Sequence, residues 1–346
     1  MTHMHRLTGP QPETEYRSAA PRQVLPAQPD AAASGGAAGA LCAANWEALP
    51  PMLDLVLRDL RADTDWLPRL LALRDRVLQL ANRGTDSALL HLVYTAGLDA
   101  QHYSSRHALL CAVVARETAR ALHWPLTRQA SLTLAALTMN ATMRSLQDQL
   151  AAQQLPLAPS QRQAVAHHAE QAADALSAAG VADSDWIAMV RLHHDDSCAD
   201  LPLSALAANQ QAARLLRRVD MFTAALSCRE SRPPMSPVRA VRVAALGADG
   251  RPDEIGTALL KAVGLYPPGS AVTLVSGETA IVVARGPRAN LPELALLTRP
   301  DGAPLPQPRR CGTHALQHAV RSDLSLADLR LLPSLASLQA LLQPGA

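Results

Sequence analysis

From Trp46 onward, apolar residues fall into a helical rhythm. Leu53, Leu57, Leu60, Leu67, Leu70, Leu71, Val77 and Leu80 recur mostly at intervals of three or four, the stripe of amphipathic helices. Asn82-Arg83-Gly84 reads as a stop, and Asp86 opens a further helix through Leu89, Leu90 and Val93. The pattern then predicts a helix capped by Ser104 or Ser105 that runs to about His123, with Pro125 beyond its end. Thr127 caps another that continues past Leu146. Ser160 and Gln163 have capping-box spacing for a helix that ends near Gly180. Shorter and longer helices follow at 183–194 and 203–228.

After about residue 266 the period changes. Tyr266-Pro267-Pro268-Gly269-Ser270 is turn chemistry, and 272–275 and 280–283 alternate around Ser276-Gly277-Glu278 as a β-hairpin. Leu294 to Leu297 adds a candidate strand. The Leu-rich stretch 324–342 is weakly helical. Residues 1–44 carry Pro, Ala, Gly, Gln and Thr without an apolar period and read as a disordered arm; His3 and His5 belong to that tail composition rather than to a metal site. The expected layout is an arm at 1–44, helices at 45–100, a helical core at 101–265, a hairpin segment at 266–310 and a tail at 311–346. Helices 46–100 are either a small sensor or the first layer of the core.

Composition narrows the class. Of 346 residues, 48% are hydrophobic but only 3% aromatic, with a single Phe, so Leu, Ala and Val must build the core. That favours packed helices over a sandwich. Lys and Arg number 32 against 30 Asp and Glu, a balance that argues against a DNA- or RNA-binding protein. Five scattered cysteines include no CxxC pair and imply reduced thiols. The absence of a long apolar run predicts no membrane span, and a cytoplasmic location follows as the expectation.

Seven of the twelve histidines lie between 102 and 194. The doublet His193-His194, followed by Asp195-Asp196, is the strongest metal signal among them. Adjacent helical residues point about 100° apart, so both rings reach one ion only at a helix end or distorted turn. Imidazole suits Zn, Fe and Mn.

The order of these residues resembles the HD-GYP branch of the HD-domain metal phosphohydrolases. Tyr103-Ser104-Ser105-Arg106-His107 stands where the family has its first ligand. Ala135 to Met143 lies over the family's AALLHDIGK, with Met139 thirty-two positions after His107. His168, with His167 beside it as the alternative register, takes the single-His place. His193-His194-Asp195 lies over His-His-Glu, Asp220 over the late Asp, and Arg229 over the nearby Arg. Tyr266 to Ser270 and Ser276-Gly277-Glu278 are similar to the C-terminal YPxGS and SGE segments. The resemblance covers roughly 90–305. It implies an HD-domain-like helical bundle, mainly α with a small C-terminal β-hairpin segment. It also implies a role in bacterial cyclic di-GMP signalling and metal ligands at His107, His168, His193, His194 and Asp220.

The departures from the family pattern fall on its centre. Met139 and Asn140 replace the His-Asp pair, and Met143 replaces a Lys. Asn140 is neutral and cannot offset the repulsion between two bridged cations. A thioether is a poor ligand for hard or borderline ions. On this reading the His107–Asp220 position keeps two ligands, while His168, His193 and His194 can still hold one Zn, Mn or Fe ion. Met139 and Met143 together are expected to pack the former centre. The resulting expectation is an impaired signalling domain that binds a protein partner or a cyclic dinucleotide. An active phosphodiesterase with a reduced metal site is the alternative. A third reading places function in the C-terminal segment, where Arg285, Arg288, Arg309 and Arg310 form either an acidic-partner dock or a solvated rim.

Overall fold

The computed structural model describes residues 23–24, 36–199, 201–247, 249–313 and 316–343. His3, His5 and most of the arm read over 1–44 lie outside them. A short strand, β1 (Gln23–Val24), precedes helices α1 (Gly36–Arg58), α2 (Trp66–Arg83), α3 (Thr85–Ala96), α4 (Tyr103–Ala121) and α5 (Leu126–Thr138). After a 3-10 turn at Ala141–Met143 come α6 (Arg144–Ala152), α7 (Pro159–Ala178), α8 (Ser184–Leu192), α9 (Ala208–Leu226), α10 (Pro237–Ala245) and α11 (Glu254–Val263). The C-terminal part holds β2 (Ala271–Leu274), β3 (Thr279–Ala284), β4 (Glu293–Thr298), β5 (Pro304–Gly312), β6 (Val320–Leu324), β7 (Leu331–Leu332) and α12 (Leu335–Ala340). The protein is therefore mostly helical with a small antiparallel sheet.

Helix α4 is the axis of the helical body. Leu109, Leu110, Ala112, Val114, Ala115 and Ala119 are all fully enclosed, and α1, α3, α5, α9 and α11 surround it. Alanine on an axial helix lets its neighbours approach closely, which is how an aromatic-poor chain reaches native packing density. The single Phe, Phe222 on α9, is fully buried in the same cluster as Leu109, Met139 and Val190. Helices α10 and α11 also cross closely, because a Cβ at Gly256 would lie 1.8 Å from the carbonyl oxygen of Ala245.

Several expected boundaries move. The helix expected from Thr127 past Leu146 stops at Thr138, and α6 restarts it at Arg144. The helix of His107 has no serine cap. The Asp148 carboxylate of α6 instead accepts from the Ser104 N–H at 2.7 Å, a long-range substitute that local sequence cannot reveal. Helix α7 starts at Pro159 rather than Ser160, with Gln161 accepting from the Ala158 N–H at 2.8 Å. Asp183 does cap α8, accepting from the Trp186 N–H at 3.0 Å, and Gly180 takes a φ of +88° as a helix stop. Helix α1 reaches back to Gly36, inside the segment read as an arm.

The hairpin is part of a larger sheet of order β5-β4-β3-β2-β6, every pair antiparallel. Strand β6 comes from the tail read as weakly helical, whose described residues hold α12 and two short 3-10 turns besides strands. Strand β5 runs across the expected boundary at 310. The sheet docks on the helical body through Leu90 and Tyr94 of α3, which pack against Ile281, Val283 and Ala295. The Tyr94 hydroxyl donates to the Pro333 carbonyl at 2.8 Å. Arg285 ties the two parts as well, donating to Asp86 at 2.6 Å and to the Ala262 carbonyl at 2.7 Å. Arg310 pairs with Glu293 at 3.6 Å. Two of the four arginines offered as an acidic-partner dock are thus engaged within the chain. Among the described residues no helix is long and apolar enough to cross a membrane.

One buried base gives the fold an acid limit. His91 on α3 is 4% exposed and stacks on Trp46 with ring centroids 6.1 Å apart. Burial, with Arg106 nearby, pushes its imidazole down to about 4. The unfolded chain takes up a proton near pH 6.5 that the folded chain refuses until about pH 4, so stability falls as pH drops through that window. The full effect is roughly 3 kcal/mol. Urea midpoints between pH 7 and 4 should show this slope, and His91→Phe should flatten it; an equal slope in the variant would contradict it.

Candidate metal centre

Four helices and one turn converge on the site. Helix α4 contributes His107, α7 contributes His168, the C-terminal end of α8 contributes His193 and His194, and α9 contributes Asp220. All five residues read from the sequence are brought into two adjoining groups, and the structure adds a sixth, Cys111.

In the first group the ligand atoms of His168, His193 and His194 lie within 4.8 Å of one another. Helix α8 ends at Leu192, so His193 and His194 sit on the unwinding turn, where two consecutive rings can turn to one point. Their ring centroids are 4.2 Å apart, and that of His168 lies 4.9 Å from His194. His168 is buried and is the inward residue of its pair, whereas His167 is exposed.

The tautomers of two rings are fixed by their outer hydrogen bonds. His168 Nδ1 lies 2.6 Å from the Val165 carbonyl oxygen, and His193 Nδ1 lies 2.6 Å from that of Val190. A carbonyl can only accept, so each Nδ1 carries the proton and each Nε2 keeps its lone pair. Those two Nε2 atoms face each other at 3.2 Å. Two bare lone pairs at that distance repel unless a cation lies between them. Two nitrogens each about 2.05 Å from a tetrahedral ion would be about 3.3 Å apart, so the spacing fits a metal.

The electrostatics agree with this geometry. Burial, reinforced by the neighbouring His194, pushes His193 down to about 3. Burial also lowers His168 and His194. All three rings are therefore neutral near pH 7, the form that binds metal.

The second group is His107, Cys111 and Asp220, also mutually within 4.8 Å. His107 Nε2 lies 2.8 Å from Asp220 Oδ1 and 3.5 Å from Cys111 Sγ. The Cys111 thiol reaches Thr223 Oγ1 at 3.2 Å. Burial alone would push His107 down and Asp220 up. The Cys111 sulfur and the Asp220 carboxylate instead carry His107 well above its ordinary value, and His107 with the α8 histidines holds Asp220 well below the carboxylate range. Positive charge is therefore strongly favoured at this point, as a proton on His107 or as a metal ion. A donor set of imidazole, thiolate and carboxylate matches Zn chemistry.

The sequence reading counted only two ligands here and missed Cys111. Its signal was position, since it follows His107 by four residues and shares its helix face. Asp220 also acts electrostatically on His168, His193 and His194, so it links the two groups.

The replaced positions behave unequally. Met139 is fully enclosed in the main apolar cluster. Asn140 is buried at the break between α5 and the 3-10 turn, and its Oδ1 has no partner in the protein. Met143 does not fill the centre. It is half-buried and lines a cavity of about 430 Å³ with Gln147, Val165 and Arg229, so the expected closure by two methionines is corrected to one. The 3-10 turn Ala141–Met143 separates the two, with Met139 in the core and Met143 on the cavity wall. Arg229 donates to the Tyr103 hydroxyl at 2.9 Å and lies 4.9 Å above its ring. Tyr103 in turn stacks on His107 with ring centroids 6.0 Å apart.

Comparison with protein-family models, with curated proteins and with solved structures finds no match for this chain.

Proposed function

We propose that this chain is a metal-holding signalling domain of the HD-GYP type that binds a cyclic dinucleotide without hydrolysing it efficiently. A protein partner reads out the bound state. The observation that carries the metal assignment is the 3.2 Å approach of two imidazole nitrogens whose tautomers leave both with lone pairs. His168, His193 and His194 would hold one divalent ion, and a bound ion supplies fixed positive charge to a phosphodiester. Arg229, locked against Tyr103 at the edge of the cavity, supplies a second positive charge. Asn140 brings no negative charge to bridge two cations, and Met143 brings no cation for a leaving phosphate, which supports binding over turnover.

The alternative, an active metal-dependent phosphohydrolase, gains from Cys111. It returns a third ligand to the position that the substitution at 139 had thinned. The two readings separate in one experiment on the protein reconstituted with Zn, Mn or Fe: metal content, calorimetric binding of cyclic di-GMP, and its turnover. The expected result is retained metal and binding with negligible turnover, and a gain of turnover in the double variant Met139→His, Asn140→Asp. Rapid turnover by the unaltered protein, lost in His193→Ala, would replace this reading with the hydrolase. Protein that retains no metal would remove the basis of both.

A further inference from the structure

A separate group of side chains lies on the C-terminal sheet, away from the helical centre. Cys311 near the end of β5 has its Sγ 3.1 Å from His318 Nδ1. His318 Nε2 is 3.8 Å from Glu278 Oε2, within ion-pair reach. The Ser276 hydroxyl donates to the same carboxylate oxygen at 2.7 Å. Thiol, imidazole and carboxylate therefore stand in line, with the two ring nitrogens facing opposite neighbours.

The arrangement is held by backbone. The Val275 and Ser276 N–H groups donate to the carbonyls of Ala319 and Gln317, each at 3.0 Å. These bonds fasten the turn before Glu278 to the segment carrying His318. Cys311 is fixed by β5–β4 pairing opposite Leu294. The Glu278 side chain is only 7% exposed and His318 is 21% exposed. A buried carboxylate requires compensation: the Ser276 hydroxyl donates to it, and the edge of the His318 ring lies at ion-pair distance, which favours the tautomer with its proton on Nε2. That tautomer leaves the Nδ1 lone pair on the Cys311 thiol, the geometry of a base beside a nucleophile.

We propose that Cys311 is a reactive thiol that takes uncharged carbon electrophiles, with His318 as its base and Glu278 as the positioning residue. Glu278, Glu293 and Arg309 all act electrostatically on the sulfur, with charges of both signs, so no strong preference for an ionic reagent arises. In the step with iodoacetamide, the S–C bond forms as the C–I bond breaks and iodide leaves with its electron pair. The thiol proton passes to His318 Nδ1. Burial and Glu278 push the Cys311 thiol up, so its attack depends on passing the proton to the imidazole as the S–C bond forms.

The test is site-resolved alkylation of the full chain by iodoacetamide at pH 7, followed by peptide mass spectrometry, with half-buried Cys198 as the internal standard. Cys311 is expected to react roughly 10-fold or more faster than Cys198, a threshold set below the roughly 10²–10⁴-fold that a positioned base contributes. His318→Gln should remove that advantage while leaving the Cys198 rate and the thermal midpoint unchanged. Glu278→Gln should lower the rate several-fold, because the ring loses the carboxylate that orients it. Conservative Glu278→Asp should recover part of the rate. Equal rates at Cys311 and Cys198, or a Cys311 rate indifferent to His318→Gln in a folded variant, would overturn the proposal.

Discussion

His193→Ala is expected to release the metal from the group formed with His168 and His194. The replaced ring supplies one of two nitrogens 3.2 Å apart, and its lost outer bond to Val190 had fixed the lone pair. Losing an outer hydrogen bond alone typically costs about 10–100-fold in metal affinity, so loss of the ligand itself should exceed that. Cys111→Ser should act on the other group only, weakening a thiophilic ion beside His107 and Asp220 while leaving one equivalent bound. Elemental analysis after desalting separates the cases. Equal metal content in wild type and His193→Ala would dismiss the assignment of the first group.

Trp186→Ala should give the largest stability loss of any change away from the ligands. Its ring is 2% exposed, sits 6.4 Å from Trp66 and donates to the Thr138 hydroxyl at 2.8 Å. Trp66 donates onward to the Ala179 carbonyl at 3.2 Å. One deletion therefore empties a large volume and unties α8 from α5 and α2. The expected cost is about 3–5 kcal/mol, read from urea unfolding, whereas Leu126→Ala at a 79% exposed position should stay within about 0.5 kcal/mol. Because α8 leads directly into His193, metal retention should also fall although no ligand has changed. A midpoint close to wild type would show that the α5–α8 contact is not a main support of the site.

The helical class and the segments of most helices through Leu226 were legible from periodicity, whereas the five ligand candidates came from the resemblance of their order to a known family. Apolar spacing carries that information because a helix buries one face of a 3.6-residue period whatever its neighbours are. Helix ends were less legible. The start of α4 is satisfied by Asp148, forty-four residues away, and α5 breaks at Thr138 where a continuous helix was expected. The sheet was legible as its central hairpin and the strand at Leu294–Leu297, whereas β5 and β6 are defined by partners rather than by their own pattern. Met143 was placed in the centre on helical spacing, and the break after Thr138 moved it to a cavity wall.

By itself the sequence determined that this chain packs Leu- and Ala-rich helices, while His107, His193, His194 and Asp220, with His168 or its neighbour His167, became candidate ligands through a family resemblance. Residue type and period are local properties, and composition limits what can form a core. Only the tertiary structure decided that His168 rather than His167 turns inward, that Cys111 joins His107 and Asp220, and that Cys311, His318 and Glu278 line up on the sheet. Each of those depends on distances between elements far apart in the chain. Those distances are set by the packing of α4, α7, α8 and α9 and by strand register, which no local pattern encodes.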